Sequence, residues 1–435
     1  MKKGGAAPMV GGQGRYGYFH NSSFQVKETA SMSEFLDIRG GVWLVVYALK
    51  KQQLQKNGFL AVKDMVRKAI VDKFDVPVHG GTIRIADLGC SVGPNTFYTM
   101  QTIVDAVLLK LKKLTCCDQV DGVEFQGFFN DQFRNDFNLL LNSIPSDQTY
   151  CVAAVPGSFY SRLFPRASIH CFNSSMSLHW LSKPPDGVAN KGRILYFGGG
   201  PDILNAYIAQ FRLDMMAFLS GRAEELVTGG LLILQFLCRP KCMAPDAARY
   251  DIVISFVEPI LREFVMEVSG SFHCPSKWPL PPCALQPQGS HNILRDRLRL
   301  RGRAHWEGKV KEEELDSFQM PLFAPSIEEF KEVVEMNGCF TIHVAEHVNQ
   351  GWGLKGGGDE GTEADLEQLA QSMSINSRAI CEKMLSDHFG TDILDELFQR
   401  FPNKVYQHFS ALIPSIPSPP PTAFFVLQKK PHSPA

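Results

Sequence analysis

The chain carries no charge excess of either sign. Its 44 Lys and Arg residues stand against 45 Asp and Glu, a formal net charge of −1. Nothing therefore supplies the basic field on which non-specific nucleic-acid binding depends. It also has no apolar run of the ~20 residues that a bilayer span requires; Val42 to Leu49, the longest near the start, is far too short. Met1 to Val10 is rich in Gly and Lys with no apolar stretch, so neither a secretory leader nor a membrane partner is expected, and the expected compartment is the cytoplasm. A disulfide framework is equally absent. The 11 cysteines are odd in number and scattered, and Cys238/Cys242 and Cys274/Cys283 do not form the two close pairs of a structural zinc site. There is no internal repeat.

What is present is an ordinary globular mix, 44% hydrophobic and 20% charged over 435 residues, enough for two or three domains at roughly 150 residues each. Short apolar runs bounded by turn residues predict strands at 83–88, 123–129, 150–155, 193–197 and 231–237. Leu204, Tyr207, Ile208, Phe211, Met215, Phe218 and Leu219 recur at helical spacing and predict a helix that stops at Gly229-Gly230. Strands alternating with helices argue for a doubly wound α/β sheet. A hairpin-like ending is predicted from 340–348 and 423–428. Two stretches break the pattern, 40–58 and 266–306; the second is proline-rich and ends in Arg295, Arg297, Arg299, Arg301 and Arg303, read as a solvated loop because no aromatics are interleaved.

The strongest local signal is Ile85-Ala86-Asp87-Leu88-Gly89-Cys90-Ser91-Val92-Gly93-Pro94-Asn95, an apolar strand entering a Gly-containing turn and then a helix near Thr96. Such a turn lies at the carboxyl edge of the sheet, where these folds bind ligands. The pattern is not G-x-G-x-x-G, and no acid follows about 20 residues later to take a dinucleotide ribose. The next strand instead ends in Asn130-Asp131. An acid-ended strand beside this turn suits S-adenosylmethionine, whose ribose needs an acceptor and whose sulfonium is cationic; a purely structural turn is the alternative from these residues alone.

Over nearly its whole length outside the two odd stretches, the chain resembles the SABATH family of plant methyltransferases, which act on small carboxylic acids (salicylate, benzoate, jasmonate, indole-acetate, gibberellins) and on xanthine nitrogens. The resemblance is carried by Gly11-Gly12-Gln13-Gly14 with Tyr18, Asn21-Ser22 and Gln25; by Ala86 to Cys90; by Phe129-Asn130-Asp131 with Asn135 to Asn138; by Val155 to Pro165 (VPGSFYSRLFP); by Ser174 to Ser182 (SSMSLHWLS); and by Asn190-Lys191-Gly192, Asp316-Ser317-Phe318 and Asp387 to Gly390.

The resemblance implies a Rossmann-like doubly wound α/β domain of the S-adenosylmethionine-dependent methyltransferase type over residues 1–240, a helical cap over 241–395, a C-terminal return to the sheet over 396–435, and a homodimer. Tyr18, Ser22, Cys90, Asn95, Asp131, Ser158 and Phe159 would line the methyl-donor pocket, with Asp131 on the ribose, Gln132 beside the adenine, and Asp87 shaping the turn or reaching the methionine part. Gln25 and Trp180 would clamp the substrate carboxylate, with Met176 and His179 shaping the substrate pocket. Asn190, Asp316, Phe318 (by its backbone) and Gln319 would hold magnesium, one carboxylate among carbonyls making that a weak, structural site.

The residue types suit the chemistry. A carboxylate, with a reference pKa of about 4, is already ionised at pH 7 and needs no general base. The site has only to place one oxygen in line with the methyl group and exclude water. Amide and indole N–H donors do this without tying up the nucleophilic lone pairs as a salt bridge would.

Departures bear on substrate choice. Met176 replaces a frequent aromatic and favours a larger or non-aromatic acid, since methionine fills irregular space. Gln132 replaces leucine, Asn173 histidine, and Gln319 asparagine. Residues 40–58 and 266–306 have no family counterpart and are read as insertions, a reading that their appearance in abundant transcript would contradict as a gene-model artefact. The alternatives are N-methylation of a xanthine-like base, which His179 permits, a catalytically inactive ligand-binding homologue, and, on weaker grounds, an NAD-dependent dehydrogenase.

Overall fold

The computed structural model describes residues 62–76, 81–115, 122–188, 190–240, 252–268, 310–348, 363–412 and 422–431. Tyr18, Ser22 and Gln25 lie outside them. So do both candidate insertions apart from 266–268.

Its frame is a seven-stranded sheet: β1 (Gly81–Leu88), β2 (Val123–Asp131), β3 (Cys151–Pro156), β4 (Ile169–Ser175), β5 (Leu226–Leu237), β6 (Phe340–Val348) and β7 (Thr422–Lys429), in the order β3-β2-β1-β4-β5-β7-β6. β1 to β5 pair in parallel, and β7 runs antiparallel to both of its neighbours. Strands this apolar require cover on both faces. One face packs on α4 (Pro201–Glu225) and α8 (Ile327–Asn337), with Phe330 set 4.5 Å from Phe425. The other packs on α1 (residues 62–73) and α2 (Pro94–Thr115), whose Phe97, Met100, Ile103, Val104, Val107 and Leu111 recur every three or four residues. A short α3 (Phe137–Asn142) follows β2, capped by Asp136, which accepts the Leu139 N–H at 2.9 Å.

The remaining helices share a core of their own. α5 (Ile252–Ser255), α6 (Val257–Val268), α7 (Glu312–Ser317), α9 (Glu363–Phe389) and α10 (Leu394–Leu412) bury Phe256, Leu261, Phe264, Leu315, Leu385 and Phe401 together. Trp180, Ile194 and Leu195, from the segment after β4, join that cluster. Among the described residues no helix is long and apolar enough to cross a membrane.

Four local expectations are corrected. Residues 193–197 form turns, not a strand: Ile194 and Leu195 bury into the helical cluster and Tyr196 into the sheet-face core, and a loop sandwiched between two cores reads as apolar as a strand does. Ile169–Ser175, which a search for apolar runs passes over because it holds His170, Asn173, Ser174 and Ser175, is the central strand β4. The long helix ends at Glu225, not at Gly229, because Leu226 turns extended and opens β5. β6 and β7 are antiparallel neighbours, but α9 and α10 lie between them in the chain, so they are not a hairpin.

Candidate functional site

The strand order reverses between β2 and β4 around β1, and the crevice at the carboxyl ends of strands beside such a switch point is where α/β sheets bind ligands. The turn after β1 sits there. Gly89 has φ +81°, and a Cβ added to it would lie 2.1 Å from Ser177 Oγ, so only glycine fits between β1 and the segment that follows β4. The N–H groups of Gly89 and Cys90 both donate to Asn130 O, at 2.8 and 3.0 Å. Asn130 is fully buried, and its Nδ2 donates to Val155 O (2.8 Å) and Gly157 O (3.0 Å). One asparagine thus stitches the ends of β2 and β3 beneath the turn.

Asp131 follows it. Its Oδ2 accepts the Ser91 N–H and its Oδ1 the Gln132 N–H, each at 2.7 Å. Burial raises its pKa, and the two backbone donors oppose that rise. It is not a helix cap; Asp136 does that work for α3. Asp87 is buried below, accepting from Thr96 Oγ1 on α2 and from Asn173 Nδ2 at 2.6 Å. Burial lifts its pKa to about 6 against those hydrogen bonds. With both oxygens engaged, Asp87 ties β1 to α2 and β4 and so shapes the turn. Cys90 is buried, and burial together with Asp131 and Asp87 pushes its thiol well above the usual range; it is a packing group, not a nucleophile. Asn95 is exposed in the first turn of α2.

The loop after β3 brings Ser158 and Phe159 to the same edge. Ser158 is exposed and its Oγ accepts the Tyr160 N–H at 3.3 Å; Phe159 is half-buried, edge-on to Tyr160 and Phe218. The segment after β4 begins with Met176 in the left-handed region at φ +57°, an uncommon conformation for a residue with a side chain, of the kind that clusters at functional sites. Its N–H is held by Gln235 O at 2.7 Å, and its side chain packs against the pair formed by Leu237 and Ala324.

His179 and Trp180 follow, ring centroids 5.8 Å apart. His179 is buried, its Nδ1 has no partner among the described residues, and burial lowers its pKa to about 3. It is neutral at pH 7, and among the described residues its Nδ1 is not satisfied as that of an ordinary core histidine would be. Trp180 is buried in the helical cluster, and its indole N–H makes no hydrogen bond among the described residues.

A second group of acceptors lies between the 188–195 loop and the segment after α7. Gln319 Nε2 donates to Val188 O, the Met320 N–H to Ile194 O (2.8 Å) and Asn190 Nδ2 to Leu195 O (2.9 Å). That leaves Asn190 Oδ1, Asp316 Oδ1 and Gln319 Oε1 buried with no hydrogen-bond partner among the described residues. Orphaned hard oxygens are what a divalent cation takes as ligands, so these residues fit magnesium chemically. They hold a single carboxylate, and among the described residues no group of three or more His, Cys, Asp or Glu is placed to bind a metal.

Thr96 and the buried pair Arg222–Glu225 carry no signal in the sequence that separates them from ordinary core, and Asn130 and Ser177, though inside quoted motifs, were given no role. Their roles appear only when strand ends meet in space.

Comparison with known proteins matches this geometry. The family model described as SAM dependent carboxyl methyltransferase covers residues 40–270 and 302–430; 40–58 falls inside the match, contrary to its reading as an insertion, and only 271–301 of the second odd stretch is left out. Loganic acid O-methyltransferase of Catharanthus roseus is 34% identical over 367 residues, 82% of this chain and 84% of that protein. Caffeine synthase 1 of Camellia taliensis is 30% identical over 410 residues, 91% of this chain and 97% of that protein. A solved structure of loganic acid methyltransferase with SAH aligns with a TM-score of 0.72 at 30% identity, covering 98% of this chain and 99% of that one. The chain belongs to the SABATH family of S-adenosylmethionine-dependent carboxyl methyltransferases and has their Rossmann-like α/β fold.

Proposed function

We propose that this enzyme methylates the carboxylate of a bulky, non-aromatic plant acid of specialised metabolism, with loganic acid the first substrate to try. The observation that carries this reading is His179, neutral and unpartnered at Nδ1 beside the Trp180 indole. With its proton on Nδ1, His179 would join the Trp180 indole as an uncharged donor, which suits a carboxylate that must keep its lone pairs for attack, and Met176 in place of an aromatic leaves deformable space beside it.

S-adenosylmethionine supplies an electrophilic methyl group on its sulfonium. When the donor is bound, Asp131 would take the ribose hydroxyls and Gln132 would border the adenine, with Tyr18, Ser22, Cys90, Asn95, Ser158 and Phe159 completing the donor pocket. Gln25 and Trp180 would donate to one carboxylate oxygen and leave the other free to attack the methyl group. No proton moves, because the acid arrives ionised. The contribution of the protein is orientation and exclusion of water. Magnesium, when bound by Asn190, Asp316, the Phe318 carbonyl and Gln319, would pin the 188–195 loop to α7. The helices that share the second core, α5 to α7, α9 and α10, act as the cap, whereas α8 and β6, also within 241–395, belong to the sheet; a cytoplasmic homodimer is the assembly this reading carries.

The test is Trp180→Phe, which keeps the ring in the core and removes the N–H. Loss of one hydrogen bond to a charged group, worth about 1.5–3 kcal/mol, lowers kcat/KM for the acid roughly 10- to 150-fold while S-adenosylhomocysteine affinity stays unchanged. Equal loss of both would show general damage and remove Trp180 from the clamp.

A further inference from the structure

The loop after β3 touches both halves of the proposed site, and a fully buried ion pair sets its shape. Arg222 and Glu225, three residues apart at the end of α4, have no exposed side-chain surface and lie 2.6 Å apart. Arg222 directs Nε to Glu225 (2.7 Å), Nη1 to Phe159 O (2.6 Å) and Nη2 to Ser161 O (3.0 Å). Glu225 Oε1 accepts the N–H groups of Leu163 and, at 2.8 Å, Phe164. Apart from their mutual contact, these hydrogen bonds all end on the backbone of one loop, 159–164.

Buried ion pairs add little net stability, because desolvation consumes most of the Coulombic gain. This one instead dictates a loop conformation. Within that loop the Tyr160 hydroxyl donates to Trp180 O at 2.6 Å. Burial holds the phenol far above its usual pKa, so it remains a donor throughout the working range. Across from Tyr160, the Leu181 N–H is held by Pro321 O (2.7 Å), and Phe323 N–H holds His179 O (2.9 Å). The path from Phe159 to Trp180 is therefore continuous: Arg222 fixes the carbonyl of Phe159, and the next residue fixes the carbonyl of Trp180.

We propose that Arg222, Glu225 and Tyr160 are positioning residues that lock the donor-binding loop to the acid clamp, so that filling the donor site orders the 177–182 segment. The inference rests on the site reading above.

The test uses S-adenosylhomocysteine as the probe, on the full-length wild type and on Tyr160→Phe, a variant that keeps the ring edge-on to Phe159. Calorimetry gives the affinity, hydrogen exchange the protection of each segment, and the labelled-methyl assay runs alongside. Both proteins bind the probe with affinities within about threefold, and both gain protection at 88–93 and 157–159. Only the wild type gains protection at 177–182, by about fivefold or more, the lower end of coupling between two sites. Equal protection of 177–182 in both proteins, or none in either, overturns the proposal while leaving the donor-site reading intact. Failure of the wild type to bind the probe overturns the donor-site reading instead, and the proposal with it. A role confined to stability would lower the melting temperature without separating the two segments.

Discussion

Asp131→Asn is the most direct probe of the donor site. The side chain keeps its size, so the end of β2 and its ladder with β3 stay in place. What changes is that one of two oxygens, each now accepting a backbone N–H at 2.7 Å from Ser91 or Gln132, becomes an NH2 group facing a donor. One N–H is left unpaired, at a cost of about 1–3 kcal/mol, and the ribose loses a charge-assisted acceptor worth about 1.5–3 kcal/mol. The first term is present in the free and the donor-bound protein alike and falls on stability; the second falls on binding, so a loss of about 1.5–3 kcal/mol in donor binding is expected, roughly 10- to 150-fold in Kd. Titration of S-adenosylhomocysteine by calorimetry reads this directly, with the melting temperature of the free protein as the control for folding. A Kd within threefold of wild type, in a protein that still binds, would refute the ribose role and the reasoning behind it.

Further outcomes are expected elsewhere. Gly89→Ala meets Ser177 Oγ at 2.1 Å and Cβ at 2.5 Å with φ at +81°; it should cost several kcal/mol by denaturant unfolding, roughly 2–4, and Ser177→Gly in the same chain should recover all but the backbone strain. No recovery would mean that the clash is not the cause. His179→Gln should change acid stability. Native His179 titrates at about 3 and the unfolded residue near 6.5, so its contribution is complete above about 6.5 and is lost as pH falls toward 3, by up to ~1.4 kcal/mol per unit. Asp87, raised to about 6, works in the opposite sense: its contribution is present below about 4 and lost as pH rises through 6. Between pH 6 and 4 the two offset in wild type, so the variant should gain stability relative to wild type on acidification, read from urea midpoints at pH 6.5, 5.5 and 4.5; a pH-independent difference would contradict this. Magnesium should raise the melting temperature of wild type but not of Asp316→Asn, and equal shifts in both would remove Asp316 from the cation site.

The parts of this protein that could be read from its sequence are those in which one segment carries its own signal. The Ala86 to Cys90 turn, the acid at the end of β2 and the apolar runs of β1, β2, β3 and β5 are of that kind. β4 was hidden because its exposed-looking residues serve the site: Asn173 holds Asp87, Ser174 Oγ donates to Leu88 O at 2.9 Å and Ser175 Oγ to Gln235 Oε1 at 3.1 Å. A strand that spends its side chains on hydrogen bonds to neighbouring strands has no period-2 apolar pattern to find. The 193–197 run failed for the opposite reason, being apolar because two cores enclose it. The ion pair of Arg222 and Glu225 looks like any i,i+3 surface pair until the 159–164 backbone is laid across it. Met176 and His179 were singled out by resemblance, but the left-handed backbone of one and the ring nitrogen of the other, unpartnered among the described residues, are properties of the fold.

The central claim is chemical: this chain moves a methyl group onto a carboxylate. Incubation with methyl-labelled S-adenosylmethionine and a panel of loganic acid, salicylate, benzoate, jasmonate, indole-acetate, a gibberellin and xanthine, followed by mild base, tests it in one step. The account predicts extractable label that base releases as methanol, the signature of a methyl ester, with a non-aromatic acid responsible when the panel is divided. Label that survives base would place the methyl group on nitrogen or hydroxyl oxygen and contradict it.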